Sequence, residues 1–388
     1  MKSGKYIDFR REQPYAYWLH SIHGIGNRTI QNLLSVTNTA ENTYYMPEDE
    51  LKAYLKPMQL KHLKSSKKAW NLYTEYEKLE KKQILFCTRD HPQYPGRLRH
   101  VPDAPYAIYV RGKLPKEHKK TVAIIGARLC SEYGRYVARK FGMELANAGI
   151  QVVSGLASGI DGISQKAAIE AGGDTYAILG CGVDICYPEE NREIYQRIAK
   201  QGGIVSEYIP GTLPKPQNFP PRNRIISGLS DAVLVIEAKQ KSGTLITVDM
   251  ALEQGREVYV IPGRVTDALS IGCNRLIKQG AGIILSPEDL LQELAGMQTK
   301  ETEMELTIAE NWSQGNHILH GSKEGELCKL ILKHLDYIPQ SPDTIWEKIV
   351  QDSNKYEYTI PLLLQQLLYL QMRGYVAQNG GQYCLSGK

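Results

Sequence analysis

The chain has no long apolar run. No stretch of its 388 residues reaches the roughly 18 apolar residues of a membrane span. The first residues, MKSGKYIDFRREQPYAYW, lack the apolar core of a secretory signal, so no signal peptide is expected. Seven cysteines, at 87, 130, 181, 186, 273, 328 and 384, include no C-x-x-C pair and are odd in number. That argues against a structural zinc or a disulfide framework; reduced thiols in the cytoplasm are the expectation. Neither G-x-x-x-x-G-K-[ST] nor H-E-x-x-H occurs, which removes the P-loop and the zinc-protease helix. A dinucleotide fingerprint is also missing, because the first strand of the central region meets only one glycine before Arg128. Nothing here calls for a metal or a cofactor. Bulk charge is scarce as well. The net charge is +5, and the first 82 residues carry all of the excess. A polyanion would therefore be held by local clusters and backbone amides, not by an overall basic surface.

What is present is organised around residues 219–247. This stretch opens with Phe219, two prolines, Arg222, Asn223 and Arg224. It continues through the apolar run Ala232-Val233-Leu234-Val235-Ile236 and closes on Ser242-Gly243-Thr244. Such a run between turn signals reads as a central strand of a parallel sheet, covered on both faces. Ligands of such sheets sit beyond the carboxyl ends of the strands. Lys239, Lys241, Ser242, Gly243 and Thr244 fall on that edge. Arg222 and Arg224 read either as surface charges or as part of a site there.

Residues 1–82 read as helical, with helices expected at 47–55 and 58–82. His23-Gly24-Ile25-Gly26-Asn27 has the form of a helix-hairpin-helix turn, whose amides can approach a phosphate, or of a tight turn inside a small bundle. Residues 83–297 read as one domain, within which residues 120–290 alternate strands and helices, the signature of an α/β sheet. Strands are expected at 84–87, 107–112, 121–125, 151–153, 176–179, 203–207, 232–236, 258–261 and 282–285, the first two as an edge extension. Nearly every strand of the alternating region is followed by glycine and a small polar or basic residue. Four such turns, after 125, 153, 179 and 238, predict a phosphate-lined groove through Gly126, Ala127, Arg128, Ser154, Gly155, Gly180 and Gly182. Residues 298–323 read as a linker. Residues 324–388 read as a winged helix of three helices and a Gly-rich hairpin. Its third helix has few basic residues, so DNA and protein contacts both stay open.

The central motifs resemble one family. Gly126-Ala127-Arg128, Ser154-Gly155-Leu156-Ala157-x-Gly159-Ile160-Asp161 and Gly180-Cys181-Gly182-Val183-Asp184 are three of them. Tyr187-Pro188-x-x-Asn191, Ser206-Glu207-Tyr208, Pro210-Gly211-Thr212, Phe219-Pro220-x-Arg222-Asn223-Arg224 and Pro262-Gly263 are the others. Together they look like the DNA-processing protein A family (DprA, also called Smf). The resemblance implies an extended Rossmann-like core with a mostly parallel sheet. A helical N-terminus like the sterile-alpha-motif and helix-hairpin-helix folds would precede it, and a winged-helix C-terminus would follow. It implies a cytoplasmic, non-enzymatic protein that binds and shields incoming single-stranded DNA in natural transformation and loads the RecA recombinase. Carried over by motif, Arg128 would grip a phosphate, while Lys215, Phe219, Arg222 and Arg224 would line the groove with Phe219 free to stack on a base. Core packing behind Pro220-Pro221 is the other reading of Phe219. The resemblance also implies a homodimer through residues 270–285, with Asn274, Leu276, Ile277 and Lys278 at the interface. Ser158 and Ser164-Gln165 depart from the family's frequent Arg and Ala-His.

The competing reading is a nucleotide hydrolase of the lysine-decarboxylase-like phosphoribohydrolase type. Lys241-Ser242-Gly243-Thr244-Leu245-Ile246-Thr247 echoes its Gly-rich loop, but Thr247 stands where that loop carries glutamate. Asp161 and Glu207 would be its general bases, and each also reads as a cap or loop acceptor.

Overall fold

The computed structural model describes residues 9–296, 323–335, 340–353, 358–373, 375–379 and 381–385. The chain forms two compact units, Met1–Leu294 and Ala295–Lys388. The expected linker falls almost entirely outside the described residues.

The first unit begins with α1 (Phe9–Ser21), α2 (Asn27–Thr37), α3 (Ala40–Tyr45), α4 (Glu48–Leu51), α5 (Pro57–Ala69) and α6 (Leu72–Lys81). The single helix expected over 58–82 breaks at Trp70 and Asn71. The Asn71 side chain accepts from the Thr74 amide at 3.1 Å and starts a new helix. Local capping outweighs the run of helix formers there, because it satisfies an orphan donor.

The sheet then builds through β1 (Ile84–Thr88), α7 (Gly96–Arg99), β2 (Ala107–Gly112), β3 (Thr121–Ile125) and α8 (Glu132–Asn147). It continues with β4 (Gln151–Ser154), α9 (Ile160–Glu170), β5 (Thr175–Ile178), α10 (Arg192–Gln201), β6 (Gly203–Ser206) and α11 (Phe219–Gly228). β7 (Ala232–Val235), α12 (Gly243–Glu253), β8 (Glu257–Val260), α13 (Ile271–Lys278) and β9 (Gly282–Ile283) follow, then α14 (residues 287–296). The strand order is β1-β2-β6-β5-β4-β3-β7-β8-β9. From β6 to β9 all neighbours are parallel; β1 and β2 add antiparallel at the β6 edge. All four residues of β7 are buried, as expected for a central strand with helices on both faces. The chain winds one way from β3 through β6, then returns to lay β7 on the other side of β3. The switch point therefore lies between β3 and β7, where a ligand crevice is expected.

Four helices of the first unit are absent from the sequence expectations: α7, α10, α11 and α14. α10 interrupts the stretch before β6. α11 begins at Phe219 itself, with its two prolines in the first turn, where a missing N–H costs nothing. β9 is also shorter than expected, two residues instead of four. Helices α1–α6 and the sheet share one hydrophobic cluster, in which Trp18, Leu19 and Ile22 join Phe86 and Tyr109. Tyr17 packs edge-on against Phe86 at 5.5 Å, and the Trp18 indole donates to Ser66 Oγ at 2.9 Å.

In the second unit, α15 (Lys323–His334), α16 (Pro342–Ser353) and α17 (Ile360–Met372) are followed by the antiparallel hairpin β10 (Val376–Asn379) and β11 (Gln382–Leu385). Leu327, Ile331, Ile345, Leu363 and Leu367 form its core.

Candidate nucleic-acid interface

A cleft of about 500 Å³ opens at the β3/β7 switch point. The loop after β3 supplies Gly126, Ala127 and Arg128. The start of α11 supplies Phe219, Arg222 and Asn223. The loop after β7 and the start of α12 supply Lys239, Ser242, Gly243 and Thr244. Gly155 and Gly180 stand just behind this lining, against Arg222 and Phe219, whereas Gly182 packs against Gly211, Asp184 and Ile209 outside it; Ser154 is fully buried, its hydroxyl donating to the Ile124 carbonyl at 2.6 Å. Lys215 and Lys241 are exposed outside the lining.

Phe219 is the centre of the cleft. The Arg128 guanidinium lies 5.7 Å and the Arg222 guanidinium 5.9 Å from its ring centroid, and the Tyr187 ring stands 5.5 Å away. The two arginines differ in availability. Arg128 is exposed and makes no ion pair among the described residues. Arg222 is buried, and its Nη1 donates to the carbonyls of Gly155, at 2.9 Å, and of Ile178. Burial lowers the Arg222 pKa to about 10, with Asp161 opposing the shift. Asp161 in turn is raised by burial and held back by Arg222 and by the Gly155 amide, which donates to it at 3.0 Å. Arg222 thus fixes the strand ends under the ring, and Arg128 is the side chain with donors to spare.

The glycines make room mainly for the protein itself. A Cβ on Gly155 would sit 2.7 Å from the Arg222 guanidinium, and one on Gly180 would sit 3.0 Å from the Phe219 ring. Sequence reasoning assigned that space to a ligand; the structure fills it with α11. Gly243 is different, with nothing within 4 Å, and it opens α12 without a side-chain cap from Ser242. Its first amides face the same edge.

Arg224 is not brought into the cleft. Two residues after Arg222 on α11, it makes a two-pronged pair with Glu207 at 2.7 and 2.6 Å. Its other donors go to the carbonyls of Asp103 and Pro221. It lines a separate cavity of about 810 Å³, shared with the turn at His23–Asn27. Gln165, in place of the frequent histidine, accepts from the Leu156 amide at 3.1 Å and donates to the Tyr176 carbonyl at 2.9 Å. Tyr187 is the residue that sequence reasoning missed as a site member. Its signal was present in Tyr187-Pro188-x-x-Asn191, whose Asn191 pins the Leu156 carbonyl at 2.9 Å.

On α13, Asn274 brackets the Gly263 peptide, donating to its carbonyl at 3.0 Å and accepting from its amide at 3.3 Å. Leu276 is buried against the sheet, Ile277 is half-buried and Lys278 is exposed. Ile283, on the edge strand β9, and Leu285 just after it are exposed.

The fold places the chain in the Rossmann-like α/β class, with its cleft where that class holds ligands. The family model of DNA recombination-mediator protein A matches residues 85–295, and the chain belongs to that family. It is 35% identical over 304 residues to Protein Smf of a Synechocystis strain, covering 76% of each chain. It is 42% identical over 200 residues to DNA processing protein DprA of Streptococcus pneumoniae, covering 52% of this chain and 71% of that one. The X-ray structure of the pneumococcal protein superposes with a TM-score of 0.64 at 32% identity, over 72% of this chain and 97% of that one. A structure of DprA from Helicobacter pylori, described for its single-stranded DNA binding mode, aligns at 0.50 and 29% identity, over 55% and 96%.

Proposed function

We propose that the chain binds single-stranded DNA in the Phe219 cleft, shields it during natural transformation and recombination, and loads a RecA recombinase onto it. The carrying observation is the pairing of a free, exposed guanidinium with an aromatic ring at the switch point. Aromatic faces plus cations are how single strands are held without sequence preference. The description of the Helicobacter relative as a single-stranded DNA binder supports the same reading. Asp161 and Glu207 are committed to internal partners, and Thr247 is buried where a hydrolase would carry glutamate. That favours a binder over an enzyme. Among the described residues no helix is long and apolar enough to cross a membrane; we place the protein in the cytoplasm.

The test is a fluorescence-polarisation titration with oligo-dT, duplex and mononucleotides at two salt concentrations. Tight, salt-sensitive binding of oligo-dT alone supports the reading; preference for a mononucleotide overturns it. Loading is read separately, as faster RecA filament growth on coated oligo-dT.

Two further parts belong to this reading. The second unit is a winged helix, and α1–α6 are a helix-hairpin-helix-bearing module. The chain also dimerises through residues 270–285, where Ile277 is half-buried and Ile283 and Leu285 are exposed. Ile277→Arg should yield a folded monomer by light scattering. A wild-type monomer at micromolar concentration would remove the dimer.

A further inference from the structure

The first turn of α11 separates two openings. Pro220 lines the Phe219 cleft, and the next residue, Pro221, lines the cavity of about 810 Å³ shared with the turn at His23–Asn27. Arg224 holds both carboxylates of that cavity: Glu207 at 2.6 Å, and Asp103, whose Oδ2 stands 3.9 Å from Arg224 Nε. Arg28, in the first turn of α2, lines the same cavity; it is exposed and makes no ion pair among the described residues. Helix α5 packs on the far side of the turn. Its Gln59 side chain donates to the Gly24 carbonyl at 2.8 Å, and His62 Nδ1 donates to the His23 carbonyl at 2.8 Å. Leu60 and Leu63 of α5 are buried in the core, while Lys61, Lys64 and Lys68, three and four residues apart, share its outward face. Lys64 meets Glu48 at 2.8 Å with both side chains about half exposed. Lys61 and Lys68 are exposed and make no ion pair among the described residues. Between Glu50 and Glu75 the chain has six lysines and no acidic residue.

We propose that a single strand held in the Phe219 cleft continues over Pro220-Pro221, through this cavity and onto the helical module, where Arg28, Lys61 and Lys68 take its phosphates. The proposal rests on the single-stranded DNA reading above and adds a second surface to it. Charge selects both the occupant and the direction. Residues 83–388 hold as many Lys and Arg as Asp and Glu, so the chain's excess of +5 belongs to the first 82 residues. A strand leaving the cleft therefore meets net attraction only on the module. Each phosphate neutralised there releases counterions, which is the main source of sequence-independent affinity. Lysines supply compact, hydrated charges on flexible stems, suited to following a backbone without reading its bases. The carboxylates that would repel a phosphate in the cavity are spent on Arg224, which leaves the Arg28 donors to the strand.

The experiment is a polarisation titration of the full chain across a salt series, on the shortest oligo-dT that wild type holds and on a long one. Wild type is compared with Arg28→Gln/Lys61→Gln/Lys68→Gln, with Arg128→Ala, and with Lys140→Gln/Lys166→Gln/Lys200→Gln. The last removes the same charge from exposed positions of the α/β core. A thermal melt checks each fold. On the long oligomer, the slope of log affinity against log salt should fall by about 2 in the module variant, three phosphate contacts at about 0.7 each. On the short oligomer that variant should match wild type, whereas Arg128→Ala should weaken both. An unchanged slope on the long oligomer would overturn the proposal. An equal fall in the core variant would overturn it too, since bulk charge would then account for the effect. So would a loss on the short oligomer, by placing these cations in the cleft itself. If Arg128→Ala binds both oligomers as wild type does while the module variant loses slope, the cleft reading fails and the module contact stands. If wild type binds neither oligomer, both fall.

Discussion

The exposed Arg128 guanidinium stands 5.7 Å from the centre of the Phe219 ring. A loop after β3 and the first residue of α11 thus meet across the switch point, 91 positions apart in the chain. A phosphate gripped by Arg128 would leave its base within reach of the ring.

Arg128→Ala should weaken oligo-dT binding without changing the melting temperature, since the side chain is exposed and has no ion pair to lose among the described residues. The slope of log affinity against log salt should fall by about 0.7, one phosphate contact on a single strand. Polarisation titrations across a salt series read both quantities. An unchanged slope removes Arg128 from the interface.

Phe219→Ala should cost about 1–3 kcal/mol of binding. Phe219 is half-buried against Gly180 and Tyr187, so some thermal stability should go as well. The two readouts separate the roles: a drop in melting temperature with full affinity would make the ring a packing residue only.

Arg224→Ala should be a stability variant. The Arg224 and Glu207 side chains are only 8% and 11% exposed, and breaking the pair strands a buried carboxylate. We expect a loss of about 3–5 kcal/mol in urea unfolding. Where the variant stays folded, short oligo-dT should bind as it does to wild type. A large affinity loss at normal stability would return Arg224 to the binding site.

Acid should destabilise the first unit through His20. Burial lowers its pKa to about 4, and its Nδ1 lies 2.9 Å from the Tyr109 hydroxyl. The unfolded chain takes up the proton near pH 6.5 and the folded chain only near 4. Stability is therefore full above about pH 6.5 and falls as pH drops toward 4. His20 keeps some exposure toward the 810 Å³ cavity that it lines with Arg224, so part of the full effect is expected, about 1–2 kcal/mol. Urea melts of wild type and His20→Gln at pH 7.5 and 5.0 measure it. An equal loss in both proteins would acquit His20.

The parallel core was legible in the sequence for a physical reason. A strand covered on both faces must be largely apolar, and all of β7 and all of β3 after Thr121 are. The ligand edge followed from strand direction alone, which put Arg128 and Ser242–Thr244 on one rim. Helix α11 was not legible. Buried nearly all round, it shows no amphipathic period, and its opening prolines read as loop. Without the helix, Arg222 and Arg224 look equivalent. On a helix, two positions turn by about 200°, so Arg222 enters the cleft and Arg224 the separate cavity beside His23–Asn27. Tyr187 and Phe219 likewise share no sequence period; they meet because the loops after β5 and β6 converge over the same strand ends. Which residues are apolar, small or charged was written in the chain. Which charges stay free for a ligand was decided by packing, because only the folded neighbours determine where each guanidinium spends its donors.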